Sequence, residues 1–223
     1  MHQRKSKKIV IYFFLLIIVS SINNSSINNI KFNRIENIFV SGLSEKDNQI
    51  LLKEIENLNL KTIFYINKKG LTNLLNKNSL IETYEVFKKY PSTINIKIDK
   101  TNFFAKTNIN GKTFLVGSNG KLTLNETDYN ELPYIFGKAD VQEFLKLKKV
   151  IDESKFSYQQ IKNFYFFPSN RWDIKFKDEF ILKLPNKFTN EKLDQIYKFI
   201  ENYKIKNFVI IDARVENQII LNE

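Results

Sequence analysis

The sequence predicts an α+β chain. It reads as a single N-terminal transmembrane helix, a small module in strand–helix–helix–strand–strand order, and a β-rich second half with two helices packed on an antiparallel sheet. Three observations predict this. A basic leader runs into an uncharged, largely apolar stretch at residues 9–30. Apolar residues recur at helical spacing in four short segments within 50–58, 71–75, 141–151 and 193–200. Between those segments lie short runs of period-two alternation, punctuated by Asn-Gly and Pro turns.

Arg4, Lys5, Lys7 and Lys8 precede Ile9–Ile22, a strongly apolar run of 14 residues. That is short against the ~20 residues a spanning helix needs. No charge follows until Lys31, so the uncharged stretch extends to 22 residues and its Asn/Ser end can lie among headgroups. Ile9, Phe13, Leu16 and Val19 mark the body of this expected membrane anchor. The basic cluster keeps residues 1–8 in the cytoplasm and places the rest outside. The competing reading is a cleaved signal peptide: Val19-Ser20-Ser21 loosely fits a small-residue cleavage site, although no Ala-x-Ala is present. Both readings put the bulk of the chain beyond the cytoplasmic membrane.

Residues 23–34 are rich in Asn and Ser and read as a linker. Ile35 to Val40 is an expected strand, ended by Gly42-Leu43. Ser44 is placed to cap a helix, with Asp47 in the capping-box position, and Ile50, Leu51, Ile55 and Leu58 form its apolar face. Thr62 to Asn67 is an extended link. Leu71, Leu74 and Leu75 mark a second short helix. Ile81–Lys88 and Thr93–Ile98 flank the turn Tyr90-Pro91-Ser92, and Ile94, Ile96 and Ile98 alternate with polar residues as a half-buried strand does.

In the second half, Asn110-Gly111 and Asn119-Gly120 are type I′-like hairpin signals that divide residues 103–124 into a three-strand meander. A helix follows from about Asp140, with Val141, Phe144, Leu145, Leu147 and Ile151 apolar. Asn163–Phe167 and Arg171–Phe176 flank the turn Pro168-Ser169-Asn170, and Phe180–Leu184 pairs with the latter. Thr189 or Asn190 caps a helix with the face Leu193, Ile196, Tyr197 and Ile200. Two terminal strands around Glu216-Asn217 close the chain. The last of them, through Gln218-Ile219-Ile220-Leu221, carries neither charge nor Pro, the usual protections of a sheet edge.

Composition narrows the chemistry. The chain has no Cys, which excludes disulfides, thiol nucleophiles and Cys-ligated metals. Its one His is His2, in the leader, so His-based catalysis and His-ligated zinc are not expected. No phosphate-binding loop, nucleophile elbow or metal spacing is present, so neither catalytic nor metal residues nor a cofactor are assigned. Asp99, Asp128, Asp173 and Asp212 are the carboxylates that could form an acid pair in space, and Trp172 reads as a core aromatic. The net charge of +11 is spread along the chain without a compact patch, and no nucleic-acid partner is expected. Asn, Ile, Lys and Phe abound, as in AT-rich genomes. Only Arg4, Arg34, Arg171 and Arg214 are arginines. Where Lys is so common, Arg171 and Arg214 are candidates for pairing or stacking that Lys cannot supply.

Several blocks resemble the bacterial cell-division family FtsQ/DivIB. "IFVSGL" (38–43) resembles the first strand and Val-x-Gly turn of that family's POTRA module. "IFYIN" (63–67) resembles its link before the second helix, and "VFKKYPSTINIKI" (86–98) its Tyr/Trp-Pro hairpin. "FFAKTNINGKTFLVGSNGKL" (103–122), "LPYIFG" (132–137), "RWDIKF" (171–176), "ILKLP" (181–185) and "IIDAR" (210–214) resemble later blocks. Gly117, Asn102 and Ala213 depart from the family's usual Asp, Pro and Leu, and the cytoplasmic tail is short. The resemblance implies a tail at 1–8, an anchor and the start of a linker at 9–30, a POTRA domain at 35–100 and an FtsQ-type β domain at 101–223.

It further implies a non-enzymatic scaffold in the cell inner membrane at the division septum, with its bulk in the periplasm. Its partners would be FtsB- and FtsL-like division proteins and other divisome components. In that family a partner strand adds to the edge of the last strands. The corresponding residues here are Val215, Ile219 and Leu221, with Tyr203 and Arg214 nearby. The alternatives are a POTRA-bearing protein of outer-membrane assembly or secretion, and a periplasmic wall-modifying enzyme.

Overall fold

A computed structural model describes residues 7–22, 34–58, 60, 62–64, 66–125, 131–203, 210–215 and 218–222. Of the expected linker only Arg34 is among them. The Glu216-Asn217 turn, the leader ahead of Lys7, Asp128 and all but Asn125 of the loop 125–130 lie outside the described residues.

The helix α1 (Lys7–Ile22) has 16 residues, a rise of about 24 Å. Among the described residues no helix is long and apolar enough to cross a membrane. Of the stretch 9–30 expected to span the membrane, residues 9–22 are helical and residues 23–30 lie outside the described residues.

The chain divides into two compact units. One holds Met1–Ser41, Glu45–Thr72 and Glu85–Lys97; the other holds Gly42–Ser44, Asn73–Tyr84 and Ile98–Glu223. The first part of the chain follows the expected order: β1 (Asn37–Ser41), α2 (Glu45–Glu56), α3 (Lys68–Lys77), β2 (Ile81–Lys89) and β3 (Thr93–Lys100). The three strands form a sheet in the order β1-β3-β2. β1 and β3 are parallel, with Ile38 beside Ile94 and Val40 beside Ile96. Ile94, Ile96 and Ile98 are all buried, as their alternation predicts. α2 starts directly after Ser44. It buries Leu51 and Ile55, and Glu45 and Asp47 stand in its first turn, where carboxylates favour the positive helix end.

The rest forms one nine-stranded sheet. Its elements are β4 (Phe103–Ile109), β5 (Lys112–Gly117), β6 (Leu122–Leu124), β7 (Tyr134–Phe136), α4 (Val141–Asp152), β8 (Ile161–Phe167), β9 (Arg171–Phe176), β10 (Ile181–Lys183), α5 (Asn190–Tyr203), β11 (Ile210–Asp212) and β12 (Ile220–Asn222). The strand order is β12-β11-β10-β9-β8-β7-β4-β5-β6.

The sheet is mixed, which corrects the expected antiparallel one. β7 pairs parallel with β8, and β10 with β11. α4 joins the first pair and α5 the second. A helix inserted between two neighbouring strands returns the chain to the starting end, and that makes the pair parallel. β4 and β7 are parallel as well. The two helices are thus crossovers of βαβ type, and their apolar residues Phe144, Leu147, Ile151, Leu193 and Ile196 join Phe164, Trp172, Ile174, Leu182 and Ile211 in one core.

The hairpin signals divide. Asn110 and Gly111 both have positive φ, 52° and 80°, as a type I′ turn requires. At the second signal only Gly120 does, at 75°. Gly117 N–H donates to Lys121 O at 3.0 Å and closes a wider loop. Asn119 spans that loop and its neighbour: its Oδ1 accepts from Lys121 N–H at 3.0 Å within the loop, while Nδ2 donates to Ser79 O and Ile81 O, both at 2.9 Å.

Candidate functional site

β12 is an edge strand. Among the described residues it pairs with β11 alone, setting Ile210 opposite Asn222, Ile211 opposite Leu221 and Asp212 opposite Ile220. Reading the registers across the sheet gives two rows. One runs Phe164, Ile174, Leu182, Ile211, Leu221. Its first four members are buried in the core beneath the helices, whereas Leu221 is 42% exposed. The neighbouring row, on the opposite face, runs Tyr165, Asp173, Lys183, Asp212, Ile220. It ends on Ile220, 43% exposed. Both rows therefore stop at an apolar side chain that the sheet leaves uncovered.

The second row is charged. Asp173, Lys183 and Asp212 alternate in sign across β9, β10 and β11, an arrangement that favours pairing of the strands. Each carboxylate also has its own arginine. Arg171 Nε donates to Asp173 Oδ1 at 3.1 Å, and its guanidinium lies 4.3 Å from the centre of the Phe167 ring. Arg214 Nε donates to both oxygens of Asp212 at 2.8 and 2.9 Å, and its Nη2 also contacts Oδ2. Forked donation and ring stacking are what lysine lacks.

These contacts set the charges. The hydrogen bonds from Arg214 hold the Asp212 carboxyl below its usual range, against the effect of burial. Burial dominates at Asp173 and pushes its carboxyl up, with Arg171 pulling the other way. Of the four carboxylates considered for an acid pair, Asp173 and Asp212 come to the same face, but both are bound by arginine. Asp99 accepts from Thr83 Oγ1 at 2.6 Å.

Arg214 also lines a cleft of 780 Å³, together with Trp172, Leu147 and Val150 of α4 and Lys192 and Gln195 of α5. Trp172 itself is a core residue, 3% exposed and packed on Phe166 and Phe144.

The residues expected at the edge fall into different places. Leu221 lies in β12. Ile219 precedes the strand and packs against the core. Val215 is exposed ahead of the turn, its carbonyl accepting from Gln218 N–H at 3.4 Å. Tyr203 is the last residue of α5, its ring 4.5 Å from that of Phe199. Ile220 was not among the expected residues; it lies on the opposite face of the strand from Leu221, the face an alternation through Ile219 and Leu221 passes over. The expected anchor residues Ile9, Phe13, Leu16 and Val19 all lie exposed on α1. Among the described residues there is no cluster of three or more potential metal ligands.

Comparison with known proteins matches residues 33–100 to the FtsQ-type POTRA domain and residues 105–214 to the C-terminal region of cell division protein FtsQ/DivIB. Cell division protein FtsQ of Rickettsia typhi is 26% identical over 192 residues, covering 83% of this chain and 71% of that protein. FtsQ of Rickettsia bellii is 25% identical over 188 residues, covering 83% and 70%. DivIB of Staphylococcus aureus is 26% identical over 112 residues, 49% of this chain and 26% of its own length. The solved extracytoplasmic domain of DivIB from Geobacillus stearothermophilus aligns at a TM-score of 0.34 and 14% identity, over 48% of this chain and 98% of that one; so loose a likeness carries no weight. Two matches that together span residues 33–214 in this order establish the family: the chain belongs to the FtsQ/DivIB family of cell-division proteins.

Proposed function

We propose that the chain is a non-enzymatic bitopic scaffold of the division septum that binds FtsB- and FtsL-like partners by accepting a partner strand on β12. The carrying observation is the pair of registered rows that end uncovered on Leu221 and Ile220. An added strand would satisfy the outer backbone groups of β12 and extend both rows over its own side chains. Arg214 in this reading offers a charged contact and Val215 an apolar one ahead of that edge, Tyr203 an aromatic one at the end of α5, and Ile219 seats the strand on the core. In this reading α1 and the uncharged residues up to 30 form the anchor, the leader is cytoplasmic, and the domains at 35–100 and 101–223 lie in the periplasm. The match of residues 105–214 favours this over outer-membrane assembly or secretion.

The test is capture. The full chain, solubilised in detergent and immobilised, is exposed to membrane extract from the same cells, and bound proteins are identified by mass spectrometry. Recovery of FtsB- and FtsL-like proteins that is lost on deleting 218–223 is the expected result. Recovery that survives the deletion would remove the edge from the mechanism, and recovery of outer-membrane assembly factors instead would replace the scaffold reading.

A further inference from the structure

We propose that the tip of the first module lies on the membrane surface, with Phe64 and Tyr90 seated among lipid headgroups. This rests on the reading of α1 as a membrane anchor. Three stretches of chain meet at that tip. Glu36 N–H donates to Ser92 O at 2.9 Å and Ser92 Oγ donates to Glu36 Oε2 at 3.1 Å, which ties the entry of the chain to the β2–β3 turn. Arg34 bridges to Thr62, which brings in the segment between α2 and α3. Lys88 Nζ donates to Ile63 O at 2.7 Å and joins that segment to β2.

Two aromatic rings project here. Phe64 is 52% exposed and Tyr90 62% exposed, with ring centres 5.3 Å apart. Arg34 and Lys89 are exposed beside them. Tyr90, an aromatic ring with a polar end, suits a bilayer's interface, Phe64 adds an apolar ring beside it, and Arg and Lys next to them are drawn to anionic headgroups. Leaving two such rings in water forgoes their burial.

The tether identifies lipid as the occupant. Eleven residues, 23–33, separate α1 from Arg34. In the proposed anchor the residues up to 30 belong to the membrane segment, which leaves 31–33, a reach of about 11 Å when extended, so an anchored α1 holds this end of the module, where the chain enters, within a short distance of the bilayer. A surface held that close meets lipid at high effective concentration, and a weak contact then suffices.

The experiment uses the full chain in vesicles of phosphatidylethanolamine and phosphatidylglycerol carrying a lipid spin-labelled near the headgroup. Tyr90→Trp adds a reporter, and Phe64→Trp is a second in case the first perturbs folding. The only native tryptophan, Trp172, is 3% exposed, so the unsubstituted chain supplies the background. The expected result is loss of most of the added emission to the spin label, less so in phosphatidylcholine vesicles. Full emission from a chain that floats with its vesicles would overturn the proposal while leaving the anchor intact. A chain that fails to float would remove the anchor reading and this proposal with it. Emission shielded from both the lipid label and an aqueous quencher would place protein on the tip and would overturn the proposal as well.

Discussion

Arg214 and Asp212 form a closed ring two residues apart: Nε of Arg214 donates to both carboxylate oxygens, at 2.8 and 2.9 Å, and its backbone N–H donates to Oδ1 at 3.1 Å. Asp212 is buried and sits opposite Ile220 of the edge strand. The arginine therefore completes the last charged position before the edge. Replacing it with Lys keeps the charge and loses the fork. Arg214→Lys is expected to lower the melting temperature measurably, and Arg214→Ala to lower it further. Equal melting of all three forms by circular dichroism would show that the fork contributes nothing.

The two buried carboxylates should respond to acid in opposite senses. The Asp212 carboxyl lies below its usual range in the fold. Its contribution is thus fully present above the ordinary carboxylate value, about 4, and is lost as pH falls through the lowered folded value. Asp173 is raised. Its contribution is fully present below about 4 and is lost as pH rises through the raised folded value. Urea unfolding at several pH values should show a flatter acid limb for Asp212→Asn and a steeper one for Asp173→Asn, relative to the parent. A shift of both in the same direction would contradict the assigned environments.

Proline scanning separates the two sides of β12. Successive N–H groups along an edge strand alternate between the neighbouring strand and the open side. Of Ile220→Pro and Leu221→Pro, one should break the pairing with β11, and the other should leave the fold intact while abolishing partner capture. Melting temperature and capture, measured on both variants, decide this. If the variant that melts normally still captures its partners, strand addition at this position is wrong.

Gly42 is held at φ +114°, and a Cβ there would come within 1.8 Å of Ile98 O. Positive φ at a non-glycine residue alone costs about 1–3 kcal/mol, and the overlap adds to it. Gly42→Ala should lower unfolding stability by at least that amount. A near-parental denaturation midpoint would mean that the backbone relaxes without cost.

Asn119 donates to two backbone carbonyls, Ser79 O and Ile81 O, while Lys121 Nζ donates to Asn78 O at 3.0 Å. Asn119→Asp replaces that amide donor with a carboxylate facing two acceptors. Leaving such groups unpaired costs about 1–3 kcal/mol each. The variant should unfold at lower urea concentration at pH 7, with partial recovery on acidification. Unchanged stability at pH 7 would show that both carbonyls find other donors.

Much of this was readable beforehand because burial imposes periodicity. Ile94, Ile96 and Ile98 announced one face of β3, and Phe144, Leu147 and Ile151 one face of α4, since an apolar residue out of step would face water. The scarcity of arginine singled out Arg171 and Arg214, because forked and stacked contacts cannot be made by the lysine that surrounds them in sequence. Strand direction was not readable. α4 and α5 looked like helices laid on an antiparallel sheet, and nothing within a strand's own alternation reports whether its neighbour runs with it or against it.

The sequence by itself determined where most strands and helices lie, β7 (Tyr134–Phe136) excepted, most of the faces they bury, and the family to which the chain belongs. Those follow from local spacing, turn chemistry and the order of short motifs. Only the tertiary structure decided that three strand pairs of the large sheet are parallel, that Asp173, Lys183 and Asp212 form one row, and that Leu221 and Ile220 end two rows at an uncovered edge. The parallel pairings and the rows that cross them relate residues far apart in the chain, set by how the crossover helices return it, and no short stretch of sequence contains both partners.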